Sequence, residues 1–326
     1  MASAFLPFLH QAKKMRTTLS LNQIIEEWIA SLDGLPSTQT DYRRKIRLWF
    51  RWLVAQGKDP REPRRDDVLA FRQQLLYEGK SRYTYFSYIT VVRLFYRYCA
   101  KRHYCEDIGE GIRSSIRSRE HYKYPLSAFQ AQQLLESIST ESIVGKRDKL
   151  IVALMLLNGL RSCEVCRINI EDVARDGDRT LLRIQRKGHL DKHDVVALPE
   201  FTATLYEEYL AERDFRWGDA LIVNHCKGRS STRLTTQSIS HLVKQRLRAI
   251  GINDPKITAH SLRHTCGSLL VESGMDIELI RDLLGHTSSA TTRIYIDMAQ
   301  KRRLLDQNPS RIIEAMVTKN SETLKS

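Results

Sequence analysis

The sequence predicts a mainly α-helical protein with one small β-hairpin, arranged as a helical N-terminal domain followed by a mixed α+β domain. Three observations predict it. Apolar residues recur at three- and four-residue spacing through most of the chain. Two short β-rich runs, 180–184 and 194–198, flank a turn rich in Lys, Gly and His. The length, 326 residues, exceeds what one hydrophobic core usually organises, so two domains are expected.

Residues 1–16 read as an N-terminal extension. Its apolar residues precede its lysines, the reverse of a secretory signal, and the longest purely apolar run, 150–157, is far short of the roughly 20 residues that span a bilayer. A cytoplasmic protein without membrane association is expected. Residues 17–112 then read as four helices. Leu21, Ile24, Ile25, Trp28 and Ile29 form one apolar stripe; Tyr42, Ile46, Trp49, Phe50 and Leu53 form a second that stops at Gly57. Val68, Phe71, Leu75 and Leu76 mark a third helix, and Tyr85, Ile89, Val92, Phe95, Tyr96 and Cys99 a fourth.

Residues 113–124 are polar and basic without an apolar period and read as a linker. A second domain is expected over 125–317, with a tail at 318–326. Helical patterns cover 127–138 and 146–158, the hairpin follows, and helices return at 200–213, 235–250, 258–273, 276–284, 288–297 and about 300–317. The last carries Leu304, Leu305, Ile312, Ile313 and Met316, too apolar a set for a mere tail.

The formal net charge is +14, and polyphosphate is the commonest partner of so basic a protein. Residues 1–124 hold most of the excess, with 23 Lys/Arg against 13 Asp/Glu; the remainder holds 29 against 25. Arg44, Arg47 and Arg51 share one face of the second helix, and Arg82, Arg93 and Arg97 lie similarly on the fourth. These six are candidate phosphate contacts, although a solvated face has the same pattern. The six cysteines are scattered and read as free thiols. Cys163 and Cys166 form a CxxC, but no second pair at metal-binding spacing follows it.

The chemistry-bearing residues cluster in three places. L-N-G-L-R-S-C-E-V places Arg161 after a Gly-bearing turn, with Glu164 one helical turn on; R-K-G-H supplies Lys187 from the hairpin. H-S-L-R-H holds His260 and Arg263, three apart on a helix; L-L-G-H-T holds Gly285, suited to end a helix, and His286; Tyr295 follows nine residues later. Two arginines, a lysine, two histidines and a tyrosine meet the needs of phosphoryl transfer at a diester without a metal: positive charge for the nonbridging oxygens, an acid for the leaving oxygen, and a base for the nucleophile. No G-x-x-x-x-G-K-[ST] loop for a nucleotide is present.

The ordered set Arg161, Lys187, His260, Arg263, His286 and Tyr295 resembles the active-site signature of the tyrosine recombinases, the family of phage and transposon integrases and Xer-type recombinases. The resemblance spans about residues 17–317 and implies a core-binding helical domain ahead of a catalytic one. It implies that Arg161 and Arg263 clamp the scissile phosphate, Tyr295 attacks it to give a 3′-phosphotyrosine, Lys187 protonates the 5′ oxygen, His260 is acid/base to the tyrosine, His286 contacts a nonbridging oxygen and Glu164 braces the first arginine. His264 is read as structural. It further implies site-specific recombination (integration, excision, inversion or dimer resolution) through a Holliday junction. Four protomers would act on double-stranded DNA with paired sites, with no metal or cofactor, and a second recombinase or accessory protein stays open. No extra arm-binding domain is expected, which favours simple core sites. The hairpin is longer than in many relatives, so Lys192 is a rival to Lys187, and Asn158 stands where relatives often have Thr. The C-terminal helix would pack on a neighbouring protomer or fold back on its own domain. A non-catalytic DNA-binding protein of the same fold and a type IB topoisomerase are the alternative readings.

Overall fold

The computed structural model describes residues 15, 17–113, 124–214, 219–225, 232–285, 295, 308, 310, 311 and 314. The chain forms two compact units, Met1–Arg119 and Glu120–Ser326.

The first unit contains α1 (Leu21–Ala30), α2 (Pro36–Ala55), α3 (Arg65–Tyr77) and α4 (Arg82–Lys101). Ser20 starts α1 with a capping box: its hydroxyl accepts from the Gln23 backbone, and the Gln23 side chain accepts from the Ser20 backbone. Helix α2 begins at Pro36, six residues before the first residue of its apolar stripe. Proline suits a first helical turn because its missing N–H has no partner there, and the polar opening turn leaves no periodic signal. Gly57, at φ 67°, takes the left-handed conformation that closes α2. The four stripes meet in a core rich in rings. Trp49 stacks edge-on with Phe71 at 5.2 Å and donates its indole N–H to the Tyr96 hydroxyl at 3.0 Å; Trp28 meets Phe95 edge-on at 5.3 Å.

The second unit is built around α6 (Ile143–Leu156), whose residues Leu150 to Leu156 are all buried. Around it lie α5 (Ala128–Glu136), α7 (Ser162–Arg167), α8 (Glu200–Glu212), α9 (Thr236–Ala249) and α10 (Ala259–Glu272). Helix α11 (Ile277–Leu284) packs on α10.

The β structure is larger than a hairpin. β1 (Val173–Asp176), β2 (Arg179–Ile184) and β3 (Asp194–Leu198) form an antiparallel sheet in the order β1-β2-β3. Leu182 is the register point, opposite Val173 on one side and Val196 on the other. The sequence hides β1 because V-A-R-D has three exposed residues of four and no apolar alternation. The expected helices at 288–297 and 300–317 lie outside the described residues except for Tyr295, Asn308, Ser310, Arg311 and Glu314. Most of the expected linker lies outside them too.

Candidate active site

The centre of the site is a carboxylate. Glu164 sits at the third position of α7 and is fully buried, which is tolerable for a charge only when it is paired and hydrogen-bonded. Its pairing begins locally. Arg161, in extended conformation just before α7, donates its backbone N–H to Glu164 Oε2 at 2.9 Å and its Nη1 to Oε1 at 2.6 Å. The Lys187 backbone N–H adds a longer contact of 3.3 Å to Oε1. Two further guanidiniums approach Oε2: Arg186 Nη1 at 3.7 Å and Arg263 Nη1 at 3.9 Å.

Three arginines therefore surround one carboxylate, and the locality keeps an excess of positive charge. Arg263 registers that excess. It is 1% exposed, donates Nη1 to the Gly159 carbonyl at 2.6 Å and Nη2 to the Leu284 carbonyl. Burial pulls its guanidinium down to about 10, and repulsion from Arg161 adds to the effect. It stays charged at neutral pH. An anion seated beside it would relieve both penalties, and Arg161, with a fifth of its side chain exposed, faces the solvent from which one would arrive.

Tyr295 lies against helix α10, the helix that carries Arg263. It is 1% exposed and packs with Cys266, Ile280 and Leu284. Gly267 is its seat: a Cβ there would stand 2.8 Å from Tyr295 Cζ, so any larger residue would push the ring away. Burial raises the phenol above its ordinary value, while the nearby charge of Arg263 opposes the rise. The tyrosine is thus a neutral phenol in the free protein and needs a base to become a nucleophile.

His260 and His264 lie one turn apart on α10, with rings 4.7 Å apart and edge to face. His260 is exposed, and the ring that lies against Tyr295, at 5.4 Å, is that of His264. Sequence reasoning read His264 as structural and did not anticipate this placement. His286 lies outside the described residues. Gly285 ends α11 at φ 57°, the left-handed cap expected of it.

The two candidate lysines differ in placement. Lys187 is exposed in the turn beyond β2, immediately after the buried Arg186. Lys192 is engaged with the buried carboxylate of Asp172. Arg186 is the residue sequence reasoning passed over. Its only signal was its place next to Lys187.

In the first unit, Arg43, Arg44, Arg47 and Arg51 of α2, with Arg61, line an open groove floored by Leu21, Ile25, Phe50 and Val54. Arg47 leans on Glu26 at 3.2 Å, and Arg44 is held by Asp41 and by the Tyr88 hydroxyl, each at 2.9 Å. Arg51, Arg82 and Arg97 are exposed, whereas Arg93 turns back to donate to the Gly109 carbonyl at 3.1 Å. Cys163 and Cys166 are free thiols on α7, and the described residues contain no group of three or more His, Cys, Asp or Glu able to hold a metal ion. No helix among them is long and apolar enough to cross a membrane.

Residues 125–302 match the phage integrase family, and residues 25–103 match that family's N-terminal SAM-like domain. The chain belongs to the phage integrase family. A tyrosine recombinase XerC from Chlamydia caviae is 32% identical to the recombinase over 242 residues, covering 73% of this chain and 74% of its own. A tyrosine recombinase XerA from Thermococcus kodakarensis is 28% identical over 302 residues, covering 91% and 98%. Among solved structures, the XerH recombinase in a post-cleavage complex with its difH substrate has the same fold, with a TM-score of 0.64 at 23% identity over 82% of this chain and 77% of its own. The Tn1549 transposon integrase in complex with circular intermediate DNA does too, with a TM-score of 0.63 at 14% identity over 84% and 94%. The recombinase is therefore an enzyme of site-specific DNA recombination that cuts and rejoins strands through a tyrosine intermediate.

Proposed function

We propose that Arg161 and Arg263 clamp the scissile phosphate, that Tyr295 is the nucleophile and that Lys187 is the acid for the leaving oxygen. The observation that carries this reading is the shared carboxylate: Glu164 holds Arg161 and the Lys187 backbone directly and faces Arg263, whose charge acts on Tyr295. A diester phosphate entering from the Arg161 side would find two guanidiniums already oriented by a buried partner, so the positive charge needs little reorganisation when charge builds on the nonbridging oxygens. His260 takes the phenolic proton, the Tyr295 oxygen bonds to phosphorus, the bond to the 5′ oxygen breaks, and Lys187 supplies the proton that leaves a 5′-hydroxyl. Rejoining runs the same steps backwards. The energy of the diester is kept in the phosphotyrosine, so no nucleotide is consumed. Lys187 is favoured over Lys192 because Lys192 is already paired with Asp172.

His286 follows directly on the Gly285 cap and is assigned to a nonbridging oxygen; Glu164 acts through the arginines it orients. Arg44, Arg47, Arg51, Arg82 and Arg97 are assigned to backbone phosphates of the duplex, with Arg93 contributing less because its guanidinium is committed to Gly109. The bodies taken as domains are 17–112 and 125–317, joined by 113–124. The working unit is a homotetramer on paired sites, acting in the cytoplasm, with the C-terminal helix packed on a neighbouring protomer.

The test does not need the target sequence. Wild-type and Tyr295→Phe protein are incubated with a random-sequence library of nicked duplexes in EDTA, and denaturation-resistant protein–DNA adducts are isolated, sequenced and peptide-mapped. The wild type is expected to give adducts through Tyr295 and the variant none. Adducts from Tyr295→Phe would remove the tyrosine from its role. Specific binding without any wild-type adduct would favour a DNA-binding protein over an enzyme.

A further inference from the structure

We infer that Arg186 is a positioning residue for Lys187: its buried guanidinium clamps the β2–β3 turn to the C-terminal end of α11, fixing where the lysine meets the leaving oxygen. The inference rests on the reading of Lys187 as the acid.

The geometry is unusually committed for one side chain. Arg186 is 5% exposed, and its guanidinium reaches three other segments. Nε donates to Asp194 Oδ2 at 2.7 Å, tying the two ends of the long turn together. Nη2 donates to the Leu283 carbonyl at 2.8 Å, with the Asp282 carbonyl at 3.4 Å. Both lie among the last carbonyls of α11, at the negative end of its dipole; that of Asp282 also accepts from the Gly285 N–H at 3.0 Å. Nη1 points toward Glu164 at 3.7 Å and has no hydrogen-bond partner among the described residues.

Leaving a buried guanidinium nitrogen unpaired carries a free-energy cost, and turns ordinarily place arginine in solvent. Gly285 adds a second observation. A Cβ at that position would fall 2.5 Å from Arg186 Nε and 2.7 Å from Cζ, so the guanidinium lies flat on the glycine that ends α11. The left-handed φ and the close approach both require glycine there.

Among the described residues Lys187 itself has one anchor, the 3.3 Å contact from its backbone N–H to Glu164, and the next residue is Gly188 at φ 99°. Beyond it, the Gln185 side chain donates to the His189 and Leu190 carbonyls, shaping the turn without attaching it to the helices. Arg186 is the attachment next to the lysine.

The test separates positioning of an acid from general support of the fold. Single-turnover adduct formation is measured on the library-selected duplex and on the same duplex with sulfur replacing the bridging 5′ oxygen at the scissile phosphate. A thiolate leaves without protonation, so loss of the acid is masked on the sulfur substrate. Arg186→Gln is expected to lose about 10²-fold on the oxygen substrate and to stay within about threefold of wild type on the sulfur one. Gly285→Ala, which retains the guanidinium but displaces it, is expected to show the same selectivity. Asp194→Asn, which weakens one tie, should show it to a smaller degree.

Lys187→Ala is the control for the underlying reading: if sulfur does not rescue it, the assignment of Lys187 fails and not that of Arg186 alone. If Lys187→Ala is rescued while folded Arg186→Gln and Gly285→Ala are slowed equally on both substrates, Arg186 does not act through the lysine and the inference is overturned. Thermal melting and duplex binding establish that each variant is folded, and a misfolded Arg186→Gln leaves the decision to Gly285→Ala.

Discussion

The two units of this recombinase are held together by opposite means. The centre of the first is a set of rings, Trp28, Trp49, Phe71, Phe95 and Tyr96, whose polar atoms are few, the Trp49 indole N–H donating to the Tyr96 hydroxyl. The centre of the second, next to its aliphatic core, is a buried carboxylate facing three arginines. Apolar burial contributes stability wherever it occurs, whereas a buried charge cluster contributes only while every member is present. The first arrangement suits a body that must present a fixed basic surface. The second gathers an excess of positive charge, which suits the phosphate site proposed for it, and the cost of gathering it falls on the fold.

The sharpest way to break this comparison is Glu164→Ala. It strands Arg161, Arg186 and Arg263 around an empty centre, and removal of one partner from a buried ionic cluster costs about 3–5 kcal/mol. Chemical denaturation should show that loss in the second unit, with no adduct formed. Adding Arg186→Met to Glu164→Ala should recover part of the stability, because charge and counter-charge leave together, but none of the activity. If the double variant is as unstable as the sum of the two singles, the arginines do not share the carboxylate energetically.

A smaller effect is expected from Phe71→Leu in the ring core. The residue is 1% exposed and touches Trp49 and Trp52, and the change removes part of a ring without stranding any polar group. A loss of about 1–2 kcal/mol is expected, visible as a lower melting temperature of the first unit in calorimetry. Adduct formation at saturating DNA and low temperature should be near wild type. A loss as large as that of Glu164→Ala would mean that the ring core is no more tolerant than the charged centre.

The same contrast explains what was legible in the sequence. All four helices of the first unit could be read, because an apolar stripe is both the signal and the cause of the packing; α2 extends furthest ahead of its stripe, where Pro36 and a polar turn carry no periodicity. In the second unit Arg161, Glu164, Lys187, Arg263 and Tyr295 could be picked out by their order in the chain. Their connections could not. That Arg186 faces inward toward α11, and that His264 is the ring against Tyr295, depends on contacts across 97 and 31 positions of sequence, which no local pattern records. Strand β1 was missed for a related reason: it is recruited by pairing with β2 and not by burial of its own side chains.

The smallest effect sought is a pH dependence that belongs to the second unit alone. His225 accepts or donates at the Tyr209 hydroxyl, 3.0 Å away, and its imidazole is pulled down to about 4, chiefly by burial and then by the nearby Arg147 and Arg213 charges, with Asp148 opposing. A histidine whose folded pKa lies below its unfolded value of 6.5 favours the folded state above pH 6.5, where it is neutral in both states. That contribution is lost as the pH falls toward 4, since the unfolded chain takes up the proton first. The second unit should therefore lose stability between pH 6.5 and 4 beyond what its carboxylates explain, and His225→Gln should flatten that part of the profile while leaving the first unit's profile unchanged. An unchanged slope in the variant would mean that the imidazole is charged in the folded protein, with Asp148 outweighing burial and the two arginines.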